Sequence, residues 1–285
     1  MPELPEVETM RRGILSAVGS TIAGVEKLRC TRRPILLQPS IGTMRRRMVG
    51  RKITAIERLG KRVLVCLDTA DSLVFEPRMT GLVLVTSPPT NEHLRFRLDL
   101  TDGPIPHVWY WDRRGLGSVR LFSQEELALK LGNTLGPDAL SLDPARLRAR
   151  FAASRREIKV ALLDQKAIAG IGNLYASEIL HLARVAPRRR CDRLTIDQWT
   201  RIHDAMHEVL LTAIRYEGST LSDGTYRNAL NRTGGYQNLH RVYDRAGESC
   251  LTCTRGTIQR IVQAQRSTFF CRVCQTNTKR KPSIP

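Results

Sequence analysis

Four cysteines near the end of the chain place the strongest constraint on its fold. They form two pairs, Cys250-x2-Cys253 and Cys271-x2-Cys274, separated by 17 residues. This spacing is typical of a tetrahedral zinc site, and four thiolates leave no coordination position for water or substrate. We therefore expect one structural Zn2+ ion that organises a hairpin and takes no part in catalysis. Three scattered cysteines are interpreted as structural thiols: Cys30, Cys66 and Cys191.

The chain is strongly basic, with 46 Lys and Arg residues against 27 Asp and Glu residues and a formal net charge of +19. Such an excess favours a polyanionic partner, and nucleic acid is the first candidate. The sequence has neither an apolar run that could span a membrane nor a signal-peptide pattern, so we expect a soluble intracellular protein without a membrane partner. Hydrophobic residues make up 41% of the 285 residues, enough for cores in two substantial domains.

The first residues, Met1-Pro2-Glu3, place a proline beside a carboxylate. Removal of Met1 would leave Pro2 as a secondary amine, and an α-amino group has a pKa of roughly 7.7–8.0, so part of it is nucleophilic near neutral pH. Its attack on an aldehyde-level carbon gives an iminium without an N–H proton, which acts as an electron sink for elimination. Glu3 could donate and accept protons. The alternative is that these residues merely open a helix.

Hydrophobic periodicity predicts one helix followed by a β-rich region. The helix would bury one face and stop at Gly19; the apolar residues of that face are Val7, Met10, Ile14 and Val18. Five short runs rich in β-branched and aromatic residues then occur between residues 22 and 122, which indicates a β-sandwich or a barrel. These runs cover residues 53–56, 63–67, 82–85, 94–98 and 108–111.

A domain boundary is predicted between residues 123 and 140, where the capping-box pattern of residues 123–126 precedes a passage with glycine and proline. Helical signals dominate from residue 140 to 216. They include a helix start at Asp143-Pro144 and a second capping box at residues 195–198.

Two segments of the second half have more than one interpretation. Gly170-Ile171-Gly172-Asn173 is a glycine-rich turn that feeds a helix. It serves either a tight turn between packed helices or the approach of backbone N–H groups to a phosphate. Residues 217–240 lack periodicity, and a loop of this length is usually either functional or disordered.

In combination, these motifs resemble bacterial formamidopyrimidine-DNA glycosylases, a family related to endonuclease VIII. The resemblance rests on Met-Pro-Glu-Leu-Pro-Glu-Val-Glu-Thr at the start, the Gly60-Lys61 turn, the loop Arg78-Met79-Thr80-Gly81, the Gly-Ile-Gly-Asn turn and the four cysteines, in family order. It covers almost the whole chain.

The resemblance implies an α+β multidomain fold. An N-terminal helix and β-sandwich would form a catalytic domain at residues 1–123, and a helical DNA-binding domain with a helix-two-turn-helix element would follow at 140–240. The loop at 217–240 would close over the everted base, and a four-cysteine zinc finger would occupy residues 241–285.

Three catalytic residues are implied by the resemblance. Pro2 matches the family's nucleophile, and Glu3 matches the neighbouring glutamate that carries protons. Lys61 matches a lysine that contacts a phosphate and assists proton transfer at the lesion, although a lysine in a basic hairpin turn is more often simply solvated.

Further positions match residues that contact DNA around the extruded base. Met79 matches a methionine that fills the gap left by that base, and Arg114 matches an arginine that pairs with the opposite base. Residues 112–117 read Asp-Arg-Arg-Gly-Leu-Gly where the family commonly has Asp-Pro-Arg-Arg-Phe-Gly. Leu116 would therefore replace a phenylalanine wedge, which keeps base extrusion plausible because leucine also wedges between base steps. The preferred opposite base is left open.

Three phosphate contacts are implied in the second half. Asn173 would approach a phosphate at a helix N-terminus, and Arg266 would grip phosphates that flank the lesion, because a planar guanidinium bonds two oxygens. Lys159 is a further candidate, the alternative being a solvated lysine on a helix surface. The tail Lys279-Arg280-Lys281 is interpreted as a solvated terminus.

The implied function is that of a bifunctional DNA glycosylase and abasic-site lyase of base excision repair. It would excise oxidised purines (8-oxoguanine, formamidopyrimidines) from damaged double-stranded DNA through a Schiff base on the N-terminal proline, with β,δ-elimination. We expect a cytoplasmic monomer associated with the bacterial nucleoid through DNA. Two alternatives are an endonuclease VIII-like glycosylase for oxidised pyrimidines and a non-catalytic zinc-dependent protein that binds damaged DNA.

Overall fold

The computed structural model describes residues 2–221 and 224–276. The chain divides into two compact units: Met1–Leu135 with Leu211–Asn238, and Gly136–Leu210 with Leu239–Pro285. Met1, whose removal the nucleophile hypothesis requires, and the basic tail at residues 279–281 lie outside the described residues. Within them, no helix combines the length and the apolar character that a membrane crossing needs.

The first unit opens with helix α1, Leu4–Gly13. Val7 and Met10 of this helix are buried, as is Ile14 directly after it, which confirms the predicted apolar face. The helix packs against the strands that follow. Its first residues are therefore held by a hydrophobic core and not by local helix propensity alone.

The predicted extension of this helix to Gly19 is wrong. The helix ends at Gly13, a short 3-10 turn follows at Leu15–Ala17, and Val18 is 42% exposed. Glycine is about 1 kcal/mol less favourable than alanine in a helix. Gly13 is also in close contact with another segment, because a Cβ atom there would lie 2.2 Å from the Cβ of Ala229.

Two sheets form the β-rich region within the described residues, which confirms the predicted β-sandwich. In chain order the strands are β1 Thr21–Lys27, β2 Leu36–Gln38, β3 Ile53–Leu59, β4 Arg62–Leu67, β5 Ser72–Glu76, β6 Gly81–Leu84, β7 Leu94–Thr101, β8 His107–Asp112 and β9 Ser118–Phe122. One sheet has the order β1-β7-β8-β6 and the other β2-β9-β5-β4-β3. All neighbours are antiparallel except β2 and β9.

The five predicted runs lie in β3, β4, β6, β7 and β8. The sequence analysis did not identify β1, β2, β5 or β9, and it missed helix α2, Ile41–Met48, inside the β-rich region. This helix begins at Ser40, whose Oγ accepts the N–H of Thr43 at 3.3 Å, and it buries Met44 and Met48. The four-residue spacing of these methionines was a helical signal in a segment otherwise dominated by arginine.

An aromatic cluster fills part of the core of the first unit. The ring of Phe75 on β5 lies 6.0 Å from that of Phe96 and 5.6 Å from that of Tyr110. Such contacts add to the free energy of burying the rings. The core thereby stabilises the ends of β5 and β8, from which two loops of the candidate site emerge.

Helix starts match the capping patterns of the sequence. Helix α3, Gln124–Lys130, ends the first segment of the first unit and has a capping box between Ser123 and Glu126. Asp143 Oδ1 accepts the N–H of Arg146 at 2.7 Å at the next helix start. The helices that follow are α4 Pro144–Phe151, α5 Ile158–Leu162, α6 Asn173–Leu182 and α7 Ile196–Arg215.

The second unit is helical up to Leu210 and ends in an antiparallel hairpin of strands β10, Ile258–Gln263, and β11, Arg266–Cys271. Strand β11 packs against α6. The sequence analysis grouped the loop at 217–240 with the helical domain, whereas residues 211–238 pack with the first unit.

The contact between Gly13 and Ala229 generates a prediction about stability. Gly13→Ala should lower the free energy of unfolding by about 1–3 kcal/mol, because the added methyl group overpacks a closed contact. Gly42→Ala is the matched control, since a Cβ at Gly42 in α2 meets only the Ser40 Oγ atom at 4.0 Å. It should leave stability unchanged or raise it by up to about 1 kcal/mol. Urea unfolding of both variants measures the difference, and equal stabilities would contradict the packing.

Candidate active site and nucleic-acid interface

Pro2 and Glu3 lie at the amino end of α1, and both are buried, Glu3 with 3% exposure. Glu3 is the N-cap residue of the helix. Its backbone N–H donates to Oε2 of Glu6 at 2.8 Å as part of a reciprocal capping box. Because a helix N-terminus carries partial positive charge, carboxylates are stabilised there. The packed helix therefore holds the proline and its neighbouring carboxylate in one place.

Glu6 is a buried carboxylate that binds two segments at once. Its Oε2 accepts the N–H of Glu3, and its Oε1 accepts the N–H of Ser219 at 2.9 Å. Ser219 belongs to the loop at 217–240, which is thereby attached to the start of α1. The sequence analysis did not single out Glu6, although a glutamate three residues after an N-cap is a capping signal.

The described residues of the loop at 217–240 are joined by internal hydrogen bonds. Thr220 Oγ1 donates to the carbonyl of Tyr226 at 2.8 Å, and the Thr220 N–H donates to Oε1 of Gln237 at 3.0 Å. The Tyr226 hydroxyl donates to the carbonyl of Glu217 at 3.0 Å. Of the two alternatives for this loop, disorder is therefore excluded for residues 217–221 and 224–240.

Lys61 lies in the two-residue loop between β3 and β4, where Leu59 pairs with Arg62. Gly60 precedes it with a φ angle of +58°, a conformation that glycine adopts without steric cost. Both strands pack against α1. The hairpin that carries Lys61 thus lies against the helix that carries Pro2 and Glu3.

An ion-pair cluster connects this hairpin to α1. Arg58 Nε donates to Oε2 of Glu8 at 3.1 Å, and its Nη1 donates to the carbonyl of Gly60 at the same distance. Burial raises the pKa of Glu8, but hydrogen bonds from Arg11 and Arg12 and the charges of Arg11 and Arg58 outweigh it and hold the pKa at about 2. No spacing signal in the sequence pairs Glu8 with Arg58, since the two residues are far apart in the chain.

Met79 and Arg114 are adjacent at the surface of the first unit. Met79 lies in the turn between β5 and β6 and is 39% exposed. Arg114 is exposed in the loop between β8 and β9, and its Nη1 lies 3.1 Å from the Met79 sulfur. Leu116 in the same loop is half-buried. The structure brings these predicted DNA-contacting residues onto two neighbouring loops.

Lys159 and Asn173 form a cluster in the second unit. Lys159 is fully buried, so the alternative of a solvated surface lysine is wrong. Its ammonium donates to Oδ1 of Asn173 at 2.5 Å and to the carbonyl of Ser267 at 3.3 Å. Asn173, the first residue of α6, donates its amide to the same carbonyl at 2.9 Å. The glycine-rich turn therefore feeds a helix, as predicted, and its asparagine binds the β10–β11 hairpin beside Arg266.

Arg266 is exposed at the tip of this hairpin. The two turn residues before it, Ala264 and Gln265, have φ angles of +45° and +59°. Positive φ at both positions is the geometry of a type I′ turn, which matches the twist of the flanking strands. Neither residue is glycine, so the tight turn is held against a local conformational preference.

The sulfur atoms of the four predicted metal ligands lie close together. The sulfur atoms of Cys250, Cys253, Cys271 and Cys274 all lie within 4.8 Å of one another. Two of the pairs, Cys250 with Cys274 and Cys253 with Cys271, are 3.7 Å apart. A Zn–S bond of roughly 2.3 Å in tetrahedral geometry requires sulfurs about 3.8 Å apart. The donor set therefore fits one structural zinc ion, and all seven cysteines are free of disulfides.

Glu178 on α6 anchors the segment before the cysteines and was missed by the sequence analysis. Its carboxylate accepts the backbone N–H groups of Arg241, Val242 and Tyr243 at 2.9, 2.9 and 2.8 Å. Burial raises the pKa of Glu178, and these three hydrogen bonds oppose that rise. A carboxylate within an apolar helix was the available signal, because a buried charge requires partners.

Three family models match consecutive parts of the chain. Residues 1–119 match the family model of the formamidopyrimidine-DNA glycosylase N-terminal domain, residues 135–225 that of its H2TH domain, and residues 247–277 that of the zinc finger found in FPG and IleRS. The chain is 43% identical to the formamidopyrimidine-DNA glycosylase of Chloroflexus aurantiacus, over 96% of this chain and 98% of the relative.

Two solved structures of Lactococcus lactis Fpg have the same fold. A single-residue mutant of that protein, bound to DNA containing Fapy-dG, has a TM-score of 0.84 and 32% identity, over 97% of this chain and all of that one. The wild-type protein bound to DNA containing an oxidised pyrimidine has a TM-score of 0.83 and 32% identity, over the same shares.

The site geometry and these matches first define a class: the chain is a zinc-finger DNA glycosylase of base excision repair. Within that class it belongs to the formamidopyrimidine-DNA glycosylase family, which carries glycosylase and abasic-site lyase activity.

The low pKa of Glu8 generates a prediction about pH. Its folded-state pKa of about 2 lies below the ordinary value of 4.5, so the ionised carboxylate stabilises the fold above pH 4.5, and this contribution is lost as the pH falls towards 2. Glu8→Gln should therefore lower the free energy of unfolding by about 1–2 kcal/mol near pH 6, allowing for partial solvent screening. The deficit should shrink when unfolding is measured at about pH 3.

Glu92→Gln provides the control for this pH series, because Glu92 pairs with Arg32 at an exposed position. Exposed ion pairs contribute little, so this variant should match the original protein at each pH. A Glu8→Gln deficit that stays constant with pH would contradict the role assigned to the ionised carboxylate.

Proposed function

We propose that this chain excises oxidised purines, such as 8-oxoguanine and formamidopyrimidines, from duplex DNA and then cleaves the abasic strand. The observation that carries this proposal is the burial of Pro2 beside Glu3 at the start of a packed helix. Removal of Met1 turns Pro2 into a secondary amine at that position. The relatives' name and the Fapy-dG complex of the Lactococcus lactis protein support the purine lesion class.

In the proposed reaction, the lone pair of the Pro2 nitrogen forms a bond to sugar C1′ while the glycosidic bond breaks, and the departing base takes up a proton. The N–H proton of the amine passes to the ring oxygen O4′ as the sugar ring opens, which leaves an iminium that has no N–H to lose. Loss of the C2′ proton expels the 3′ phosphate, and loss of the C4′ proton then expels the 5′ phosphate. Water finally releases Pro2. Glu3 is the proposed proton carrier, because it directly follows Pro2 and is the N-cap residue of the same helix.

Duplex DNA is the proposed ligand of both units. In the first, Lys61 contacts the phosphate at the lesion, Met79 and Leu116 fill the gap left by the everted base, and Arg114 pairs with the base opposite. Unstacking and everting a base costs a few kcal/mol, which inserted apolar side chains and phosphate contacts offset. The exposure of Met79 and Arg114 supports these roles.

In the second unit, Asn173 and Arg266 are the proposed phosphate contacts, and Lys159 supports them. The buried Lys159 ammonium and the Asn173 amide converge on the Ser267 carbonyl, one residue after Arg266. When zinc is bound by the four cysteines, it supplies structural stability to the hairpin and no catalytic group. Lys159 then helps to hold the hairpin residue next to Arg266, through its hydrogen bond to the Ser267 carbonyl.

A second lesion class has a specific observation in its favour, because the wild-type Lactococcus lactis protein has been solved with an oxidised pyrimidine in its DNA. Activity of this chain on oxidised pyrimidines is therefore the alternative substrate proposal. The other alternative, a non-catalytic damaged-DNA-binding protein, is not proposed, because the chain belongs to a family of glycosylases. We propose further that the protein acts as a cytoplasmic monomer on nucleoid DNA.

Substitution of the two terminal residues tests the proposed chemistry. Pro2→Gly removes the secondary amine and should lower the single-turnover rate of 8-oxoguanine excision by about a hundredfold or more. Glu3→Gln should have a comparable effect, since general acid–base groups contribute about 10²–10⁴-fold. Binding to duplex DNA with a tetrahydrofuran abasic analogue should stay within about threefold of the original protein.

Glu125→Gln, an exposed glutamate in α3, is the matched control and should retain full activity. Competition between 8-oxoguanine and an oxidised pyrimidine such as thymine glycol ranks the lesion classes in the same assay. Preference for the pyrimidine would favour the alternative substrate, and full activity of Pro2→Gly would contradict the nucleophile.

A further inference from the structure

Asp112 at the end of β8 is fully buried and accepts hydrogen bonds from two separate loops. Its Oδ1 accepts the Thr80 hydroxyl at 2.5 Å and the Arg114 N–H at 3.1 Å. Its Oδ2 accepts the N–H of Gly117 at 2.8 Å. Thr80 belongs to the turn that carries Met79, and the other two donors belong to the loop that carries Arg114. One carboxylate therefore joins both loops.

A further hydrogen bond joins the two loops directly, and Arg95 binds the backbone of Asp112. The Arg114 N–H also donates to the Thr80 hydroxyl oxygen at 3.0 Å, so the three groups form a small cyclic network. A buried carboxylate is costly unless it is compensated. The hydrogen bonds to Oδ1 and Oδ2 provide this compensation, and buried Arg95 holds the backbone of the same residue by donating from Nε to the Asp112 carbonyl at 2.9 Å.

The hydroxyl group of Tyr110 lies close to the backbone of both loops. Its hydroxyl donates to the carbonyl of Glu76 at 3.1 Å. A Cβ atom at Gly81, at the end of the first loop, would lie 2.5 Å from this hydroxyl, and one at Gly117 would lie 1.8 Å from it. The two loops therefore pack against the same atom, the Tyr110 hydroxyl oxygen, which leaves no space between Tyr110 and either glycine.

The groups that this network holds are exposed. Met79 and Arg114 lie side by side at the surface, whereas the atoms that fix their backbone are buried. Arg78, just before Met79, has a φ angle of +55°, which a non-glycine residue adopts at a cost of about 1 kcal/mol or more. This chain has Arg113 after Asp112, so no proline restricts the φ angle in the second loop. Ordering of this loop therefore depends on the hydrogen bonds to Asp112.

We propose that Asp112 is a positioning residue that holds Met79 and Arg114 as one preorganised unit and thereby sets the selectivity for the base opposite the lesion. The inference rests on the proposed function, in which these two side chains fill the gap and read that base. Flexible loops would let the Arg114 guanidinium take up different positions against different opposite bases, which weakens discrimination between those bases. Preordered loops align the Arg114 guanidinium before DNA binds.

The chemistry of the network requires a carboxylate. Aspartate offers two acceptor oxygens, whereas asparagine has one acceptor oxygen and one NH2 donor group. Asp112→Asn would therefore set an N–H group against either the Gly117 N–H or the Arg114 N–H. Thr80→Val removes the bridging hydroxyl with little change of shape, and Thr80→Ser restores it. Thr54→Val removes a hydroxyl at an exposed position on β3 and serves as the matched control outside the network.

The test measures equilibrium binding to duplex DNA with a tetrahydrofuran abasic analogue opposite either cytosine or adenine. This ligand cannot undergo base excision, so the ratio of the two dissociation constants reports selectivity independently of chemistry. Asp112→Asn and Thr80→Val should reduce this ratio by about tenfold, the effect of losing a hydrogen bond to a buried charge. Thr80→Ser and Thr54→Val should keep it within about twofold.

Cleavage of preformed abasic DNA is measured in the same variants. It should stay within about threefold of the original protein, since Pro2 and Glu3 are unchanged. A purely structural defect would lower both readouts together and leave the selectivity ratio unchanged, which would overturn the proposal. A protein with no preference between cytosine and adenine before substitution would also overturn it.

If Asp112→Asn fails to fold in thermal unfolding, the comparison of Thr80→Val with Thr80→Ser decides. Failure of the proposed function is recognised separately, because the unsubstituted protein would then leave abasic and 8-oxoguanine DNA uncleaved.

Discussion

The hydrogen bonds of the Glu6 carboxylate underlie the arrangement of the first unit. One oxygen holds the N–H of Glu3 at the start of α1, and the other holds the N–H of Ser219 in the loop at 217–240. A terminal residue such as Pro2 would otherwise move freely, and fixing one residue costs roughly 1–2 kcal/mol of conformational entropy. The packed helix and its cap meet this cost during folding. Pro2 is then held in place before any DNA binds.

Buried carboxylates recur as attachment points in this strongly basic chain. Glu6, Asp112 and Glu178 each accept backbone N–H groups from segments outside their own helix or strand. Backbone N–H groups satisfy the lone pairs of an ionised carboxylate without using a cationic side chain as its partner. Exposed Arg114 and Arg266 therefore remain available for a polyanion. With a net charge of +19, the chain carries self-repulsion that DNA binding relieves.

Sequence patterns predicted the parts of the site whose chemistry depends on spacing. The cysteine pairs, the capping boxes and the glycine-rich turn before Asn173 are local signals, and the structure has each of them where it was expected. The helix end at Gly13 was not predictable in this way, because it depends on contact with Ala229. Burial of Lys159 likewise depends on a hairpin more than a hundred residues away. Contacts of this kind arise from tertiary packing, which periodicity does not encode.

The partners of Glu8 and Asp112 show the same limit within the site. The family resemblance predicted roles for Lys61, Met79 and Arg114. It did not identify the contacts of Arg58, which connects Glu8 to the Gly60 carbonyl, or of Thr80, which connects Asp112 to the turn that carries Met79. Nothing in the sequence distinguishes Arg58 and Thr80 from other polar residues, because their partners become neighbours only in the folded chain.

Trapping of the covalent intermediate tests the central claim most directly. The purified protein is incubated with duplex DNA that carries one 8-oxoguanine opposite cytosine, borohydride is added, and the adduct is located by peptide mass spectrometry. The account predicts a reduced adduct on the nitrogen of Pro2 in a chain that lacks Met1. An adduct on a lysine, or DNA cleavage without any adduct on Pro2, would contradict it.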